Sequence, residues 1–148
     1  MRESFMKEAL LLAEEAFRDG EVPVGCVITD SAGKIIGRGR NRCEGLKDPT
    51  AHAEIEAIKD ACASAGDWRL EGCSLYVTLE PCPMCAGAII NSRISEVVFG
   101  AREKLTGSCG SVIDLFSENY PHSSRVYSGV MCRESSGLLL EFFREKRG

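Results

Sequence analysis

Apolar residues recur at helical spacing from Ser4 to Asp19, at Met6, Ala9, Leu10, Ala13, Ala16 and Phe17. This predicts an amphipathic helix, capped by Ser4 and ended by Gly20. The pattern then changes. Val22 to Thr29 is apolar and β-branched, Asp30-Ser31-Ala32-Gly33 is a turn, and Lys34 to Arg40 returns, so the two runs predict a β-hairpin. Asp48-Pro49-Thr50 opens a helix to about Ser64, with Asp48 as cap and Pro49 at its first position. Ser74 to Leu79 predicts a strand, Pro83 to Asn91 a helix rich in small residues, and Glu96 to Gly100 another strand. Ala101 to Gly110 has two glycines and no period, which predicts a loop, followed by a short helix over Ser111 to Phe116. Arg125 to Ser128 closes the strands and Glu134 to Lys146 the helices. Helices alternating with strands after a hairpin imply a layered α/β domain with a mixed sheet.

The 148 residues suit a single domain, 1–148, and the composition, 44% hydrophobic and 27% charged, is that of a globular chain. No apolar run is long enough to span a bilayer. The start, Met1-Arg2-Glu3-Ser4-Phe5, runs straight into the amphipathic helix with neither a signal nor a transit pattern, so the expected compartment is the cytoplasm. That setting argues against a disulfide scaffold despite eight cysteines. Cys26, Cys43, Cys62, Cys73, Cys109 and Cys132 stand singly and read as small core or surface residues; only Cys82 and Cys85 form a spaced pair. The net charge of −4 argues weakly against a nucleic-acid partner, yet Arg38, Arg40, Arg42 and Lys47 cluster, and Arg144, Lys146 and Arg147 close the chain. A local basic face and scattered solvated charges both fit that distribution.

His52-Ala53-Glu54 lies at one predicted helix start and Pro81-Cys82-Pro83-Met84-Cys85 at another. Cysteines three apart in a first helical turn project on one face, and helix N-termini favour the thiolate that binds zinc. One imidazole and two thiolates leave a fourth tetrahedral position open, the mark of a catalytic zinc, at which water becomes acidic near neutral pH. Glu54 beside that position would take a proton from water and return it to a ring nitrogen and the leaving amine. Alone, a Cys-x-x-Cys could equally be a redox pair or half a structural knuckle, and a lone His-Ala-Glu plain surface polarity. Their conjunction favours catalysis. His122, in a polar run, reads as solvent-facing.

The His-x-Glu and Pro-Cys-x-x-Cys pair resembles the signature of zinc-dependent nucleobase deaminases. The likeness extends through Glu21-Val22-Pro23-Val24-Gly25, Gly39-Arg40-Asn41-Arg42, Asp48 to Glu54, Leu75 to Cys82, Met84 to Ile90, Ser92-Arg93-Ile94, Val97 to Arg102 and Phe142-Phe143-Arg144. In these segments the chain resembles the bacterial tRNA-specific adenosine deaminases, which convert adenosine to inosine at the wobble position of a tRNA anticodon. The resemblance implies a three-layer α/β/α sandwich with a mixed five-stranded sheet, a homodimer, one zinc per subunit held by His52, Cys82 and Cys85, and Glu54 as proton carrier. It implies that Asn41 contacts the extruded nucleotide, that the Ala53 N–H reaches the base, and that Val24, Val27 and Leu79 line the pocket. Glu103 stands where the family usually has Asp near the substrate backbone, and His122-Ser123-Ser124 where it tends to have Asn-His. A basic rim of Arg42, Arg102, Lys104, Arg144 and Arg147 would hold flanking phosphates of the anticodon loop.

Three alternatives accompany this reading. One is a free-guanine deaminase, which shares the zinc signature. Another is a deaminase of adenine or cytosine in single-stranded DNA. The third, from a different class, is a zinc-stabilised RNA-binding module without turnover; Glu54 argues against it, because a structural site needs no carboxylate at an open metal position.

Overall fold

The computed structural model describes residues 2–147; Met1 and Gly148, the ends of the expected 1–148 domain, lie outside the described residues. The elements run α1 (Arg2–Arg18), β1 (Gly25–Thr29), β2 (Ile35–Arg40), α2 (Cys43–Leu46), α3 (Ala53–Ala65), β3 (Ser74–Leu79), α4 (Pro83–Asn91), β4 (Glu96–Ala101), β5 (Arg125–Tyr127) and α5 (Cys132–Arg147), with a 3-10 turn at Leu115–Ser117. The five strands form one mixed sheet in the order β2-β1-β3-β4-β5. β1 pairs antiparallel with both β2 and β3, whereas β3–β4 and β4–β5 are parallel.

Strand alternation divides the core. Val27, Tyr76 and Val98 sit in register across β1, β3 and β4 and pack with Met6, Ala9 and Leu10 of α1. Cys26, Val77 and Phe99 occupy the neighbouring register row and pack on the opposite face with Ala53, Ala57 and Ala61 of α3 and Ala86, Ile89 and Ile90 of α4. Phe142 of α5 stacks edge-on against Phe17 of α1, 5.6 Å between ring centres. The layers are therefore α/β/α.

The backbone of α3 packs directly on β2 at Gly39. A Cβ on Gly39 would collide with the Ala53 carbonyl and come within 2.5 Å of the Ala57 nitrogen. Only glycine permits that approach, and it fixes the height at which α3 presents its first turn.

Several element boundaries differ from those the sequence predicts. α1 already runs from Arg2, so Ser4 lies inside it rather than capping it. β1 starts at Gly25 rather than Val22, because Pro23 has no N–H for a ladder and Val24 N–H turns back to Val22 O at 2.8 Å. Asp48 does not cap a helix. Its carboxylate accepts from Thr50 N–H and Thr50 Oγ, closing a local turn, and α3 begins only at Ala53. The unpredicted α2 is one turn long. Distant Glu21 holds it, accepting from Glu44 N–H at 3.0 Å and Gly45 N–H at 2.7 Å. Of the short helix predicted over Ser111 to Phe116 only its end forms, as the 3-10 turn at Leu115–Ser117; the Ser111 N–H is drawn instead to Glu80. α5 starts at Cys132, two residues before the predicted Glu134. His122 is half-buried rather than solvent-facing, with Nε2 2.8 Å from Ile94 O, which also accepts from Ser124 Oγ.

Candidate functional site

His52 occupies the N-cap of α3 and Cys82 the N-cap of α4, both with extended backbone (φ −76° and −78°). Neither side chain caps its own helix, so the donor atoms are left for each other. β3 delivers Cys82 through Leu79-Glu80-Pro81, and Pro83 at the first helical position starts α4 at once. Cys85 then lies one turn in, fully buried.

The three ligand atoms converge. His52 Nδ1 lies 3.6 Å from Cys82 Sγ and 3.5 Å from Cys85 Sγ, and all three atoms are within 4.8 Å of one another. Zinc bonds of about 2.3 Å to sulfur and 2.1 Å to nitrogen, at a tetrahedral angle, require an N···S edge of about 3.6 Å. The donors are thus spaced for zinc, with one corner of the tetrahedron left to a non-protein ligand. Among the described residues, no other His, Cys, Asp or Glu group meets the same spacing.

The site is electrostatically graded. The hydrogen bond from the Cys85 thiol, with that of His52, draws the Cys82 thiol down to about 4, so it is a thiolate at neutral pH. The same Cys85–Cys82 pairing, together with burial, pushes the Cys85 thiol far up. The hydrogen bond to Cys82 raises the pKa of His52. Glu54, two residues on and 4% exposed, is pushed up to about 7 by burial, with the Cys82 charge adding to the effect. A carboxyl near that value can both take and give a proton at physiological pH.

A cavity of about 490 Å³ opens over these groups. Val24, Asn41, His52, Glu54, Leu79 and Cys82 form its floor and near side, as the sequence leads one to expect, and Glu103 lies in its wall. Two predicted positions differ. Val27 is fully buried on the α1 face of the sheet, because one residue along a strand reverses the side chain relative to Cys26 and Ile28. The Ala53 N–H is not a free donor: it is given to Asn41 Oδ1 at 2.8 Å.

The predicted rim is also redistributed. Arg42 pairs with Glu56 at 3.7 Å and borders a side groove with Arg38 and Arg40. Arg102 lies 5.5 Å over the Phe99 ring. Lys104, Arg144 and Arg147 are exposed and do not line the cavity. Lys146 does, with Phe142 and Phe143. Helical spacing could have found it, since Lys146 is four residues from Phe142 and three from Phe143. Thr106 and Glu80 in the wall were likewise missed, and no local pattern marks them.

Comparison with known proteins agrees with this geometry. Residues 1–101 match the family model described as the cytidine and deoxycytidylate deaminase zinc-binding region. The tRNA-specific adenosine deaminase of Bacillus subtilis (strain 168) is 48% identical over 146 residues, covering 98% of this chain and 90% of that one. A solved structure from work on A-to-I editing by tRNA:A34 deaminases at the wobble position of transfer RNA superposes with a TM-score of 0.89 at 44% identity, covering 92% of this chain and 99% of that one. Guanine deaminase from Nitrosomonas europaea superposes at 0.83 with 25% identity, covering 95% and 83%. The chain belongs to the cytidine and deoxycytidylate deaminase family and groups within it with the tRNA-specific adenosine deaminases.

Proposed function

We propose that this chain is a single zinc-dependent domain that hydrolytically deaminates adenosine to inosine at the wobble position of a tRNA anticodon. The observation that carries the reaction type is the convergence of His52, Cys82 and buried Cys85, with His52, Cys82 and Glu54 lining one cavity. Similarity over nearly the whole length to tRNA-specific adenosine deaminases supports the substrate.

His52, Cys82 and Cys85 would hold one zinc per subunit, which would supply water acidic enough to attack at neutral pH. Glu54 takes the proton released as the water oxygen bonds to C6 of adenine. It passes that proton to the ring nitrogen, then takes the second from the C6 hydroxyl of the adduct and gives it to the exocyclic amine as the C6–N6 bond breaks and C6=O forms, so adenosine and water become inosine and ammonia. Asn41 orients the first turn of α3, Val24 and Leu79 give the base an apolar bed, and Glu103 closes the side. An anticodon loop is a suitable source of the base, because extrusion costs least where stacking is already broken. Lys146 and Arg102 would meet its phosphates.

No helix among the described residues is long and apolar enough to cross a membrane. We place the enzyme in the cytoplasm as a homodimer; exposed Leu105, Val112 and Ile113 offer apolar surface for a second subunit. The test is inosine formation and ammonia release on an anticodon stem-loop, with free guanine and single-stranded DNA in parallel. Turnover of the stem-loop is expected; turnover of guanine with none on the stem-loop overturns the substrate assignment.

A further inference from the structure

We infer that Glu80 is a positioning residue for substrate: its carboxylate is the post around which the 103–111 segment is wound to form the far wall of the cavity. This rests on the deaminase reading above. Glu80 is 2% exposed, yet it does not belong to the converging metal-ligand group. Oε1 accepts from Glu103 N–H at 3.0 Å and from the Ser111 hydroxyl; Oε2 accepts from Cys109 N–H at 2.9 Å and Ser111 N–H at 3.1 Å. A carboxylate has about four acceptor positions, so these four donors leave none for a substrate. Glu80 therefore acts through the segment it holds.

The middle of that segment is seated by burial, with Ser108 and Cys109 in the interior and Leu115 N–H on Ser108 O at 2.9 Å, so what Glu80 adds is the hold on the turn that faces the cavity. Gly107 N–H returns to Glu103 O at 2.8 Å, Leu105 N–H to the Glu103 carboxylate at 2.9 Å, and Ser108 N–H to Pro81 O at 2.9 Å. Only the last of these three reaches outside the loop, and it too ends beside Glu80. Gly107 lies so close that a Cβ there would collide with the Glu80 carboxyl carbon and come within 2.5 Å of Oε1. Glu103 and Thr106, both in the cavity wall, are carried by this coil. Because Glu80 also sits two residues before Cys82, the wall that meets the substrate is referenced to the strand end that delivers the metal ligand. The Glu80 carboxylate thereby ties the position of the wall to that of the reaction centre.

The test compares wild type with Glu80→Gln, Gly107→Ala and Ser111→Ala for zinc content, steady-state deamination and amide hydrogen exchange. Glu80→Gln turns an acceptor into a donor facing N–H groups, and Gly107→Ala forces the coil and the Glu80 carboxylate apart while keeping the carboxylate's charge. Both are expected to raise KM about tenfold or more while kcat changes by less than about threefold. Ser111→Ala is expected to raise KM by about two- to fivefold. Zinc stays at one per chain, and the Glu103, Cys109 and Ser111 amides lose protection in Glu80→Gln. The double variant Glu80→Gln with Gly107→Ala should be no worse than its worse parent, since both loosen one element. Wild-type KM in Gly107→Ala and Ser111→Ala overturns the inference even where Glu80→Gln does not fold. So does a loss of zinc or a pure kcat defect in Glu80→Gln. The KM comparison is read on whichever base the wild type deaminates, so absence of wild-type activity on the stem-loop counts against the substrate assignment alone.

Discussion

Asn41 Oδ1 accepts the Ala53 N–H at 2.8 Å, tying the end of β2 to the residue that stands between His52 and Glu54. One side chain on the hairpin thus sets the direction of both a metal ligand and the proton carrier. Replacing Asn41 with Ala leaves a part-buried N–H without its acceptor. We expect a loss of about 1–3 kcal/mol in stability and at least about tenfold in kcat/KM, with most of both restored in Asn41→Asp. Chemical denaturation and deamination kinetics on the three proteins check this.

Glu54→Gln keeps the shape of the buried side chain but cannot carry a proton. Zinc content should match wild type while kcat falls by about 10²–10⁴. Metal analysis alongside inosine formation measures both; an active, zinc-loaded variant rules out the proposed proton path.

Removing the metal should abolish turnover, and adding zinc back should restore it. Because the donors are assembled only in the folded chain, zinc is also expected to raise the thermal midpoint. Cys82→Ala should lose the metal, whereas Cys109→Ala and Cys132→Ala should keep it, since neither thiol belongs to the converging group. Zinc retained by Cys82→Ala but lost from Cys109→Ala would show a different ligand set.

Gly39→Ala drives a methyl into the backbone of α3. A destabilisation of about 1–3 kcal/mol is expected, because backbone cannot rotate aside as a side chain does. The thermal midpoint should fall by about 2–4 °C for each kcal/mol. Activity should fall with it, as the first turn of α3 is lifted from the cavity.

On α5, Lys146 and Arg144 are separated by the cavity edge. Lys146→Met should raise KM for the stem-loop and reduce the magnitude of the log–log salt slope by about 1, as loss of one phosphate contact does. Arg144→Met should leave the slope within error. An equal effect from the two variants would place the RNA path elsewhere.

The chain's local patterns determined the order of the principal strands and helices, and the paired motifs at residues 52–54 and 81–85 determined which atoms could hold zinc. Those features are short-range: hydrophobic period, proline at a helix start and cysteines one turn apart operate within a few residues. What only the tertiary structure decided depends on distant partners. Val27 faces α1 because strand register assigns it there, whereas Val24 reaches the cavity from the turn that precedes β1. α2 is held by Glu21 from more than twenty residues away, and Glu80 gathers N–H groups from Glu103, Cys109 and Ser111 across the 103–111 coil. A buried carboxylate must find its donors wherever the fold brings them, and sequence spacing carries no record of that choice.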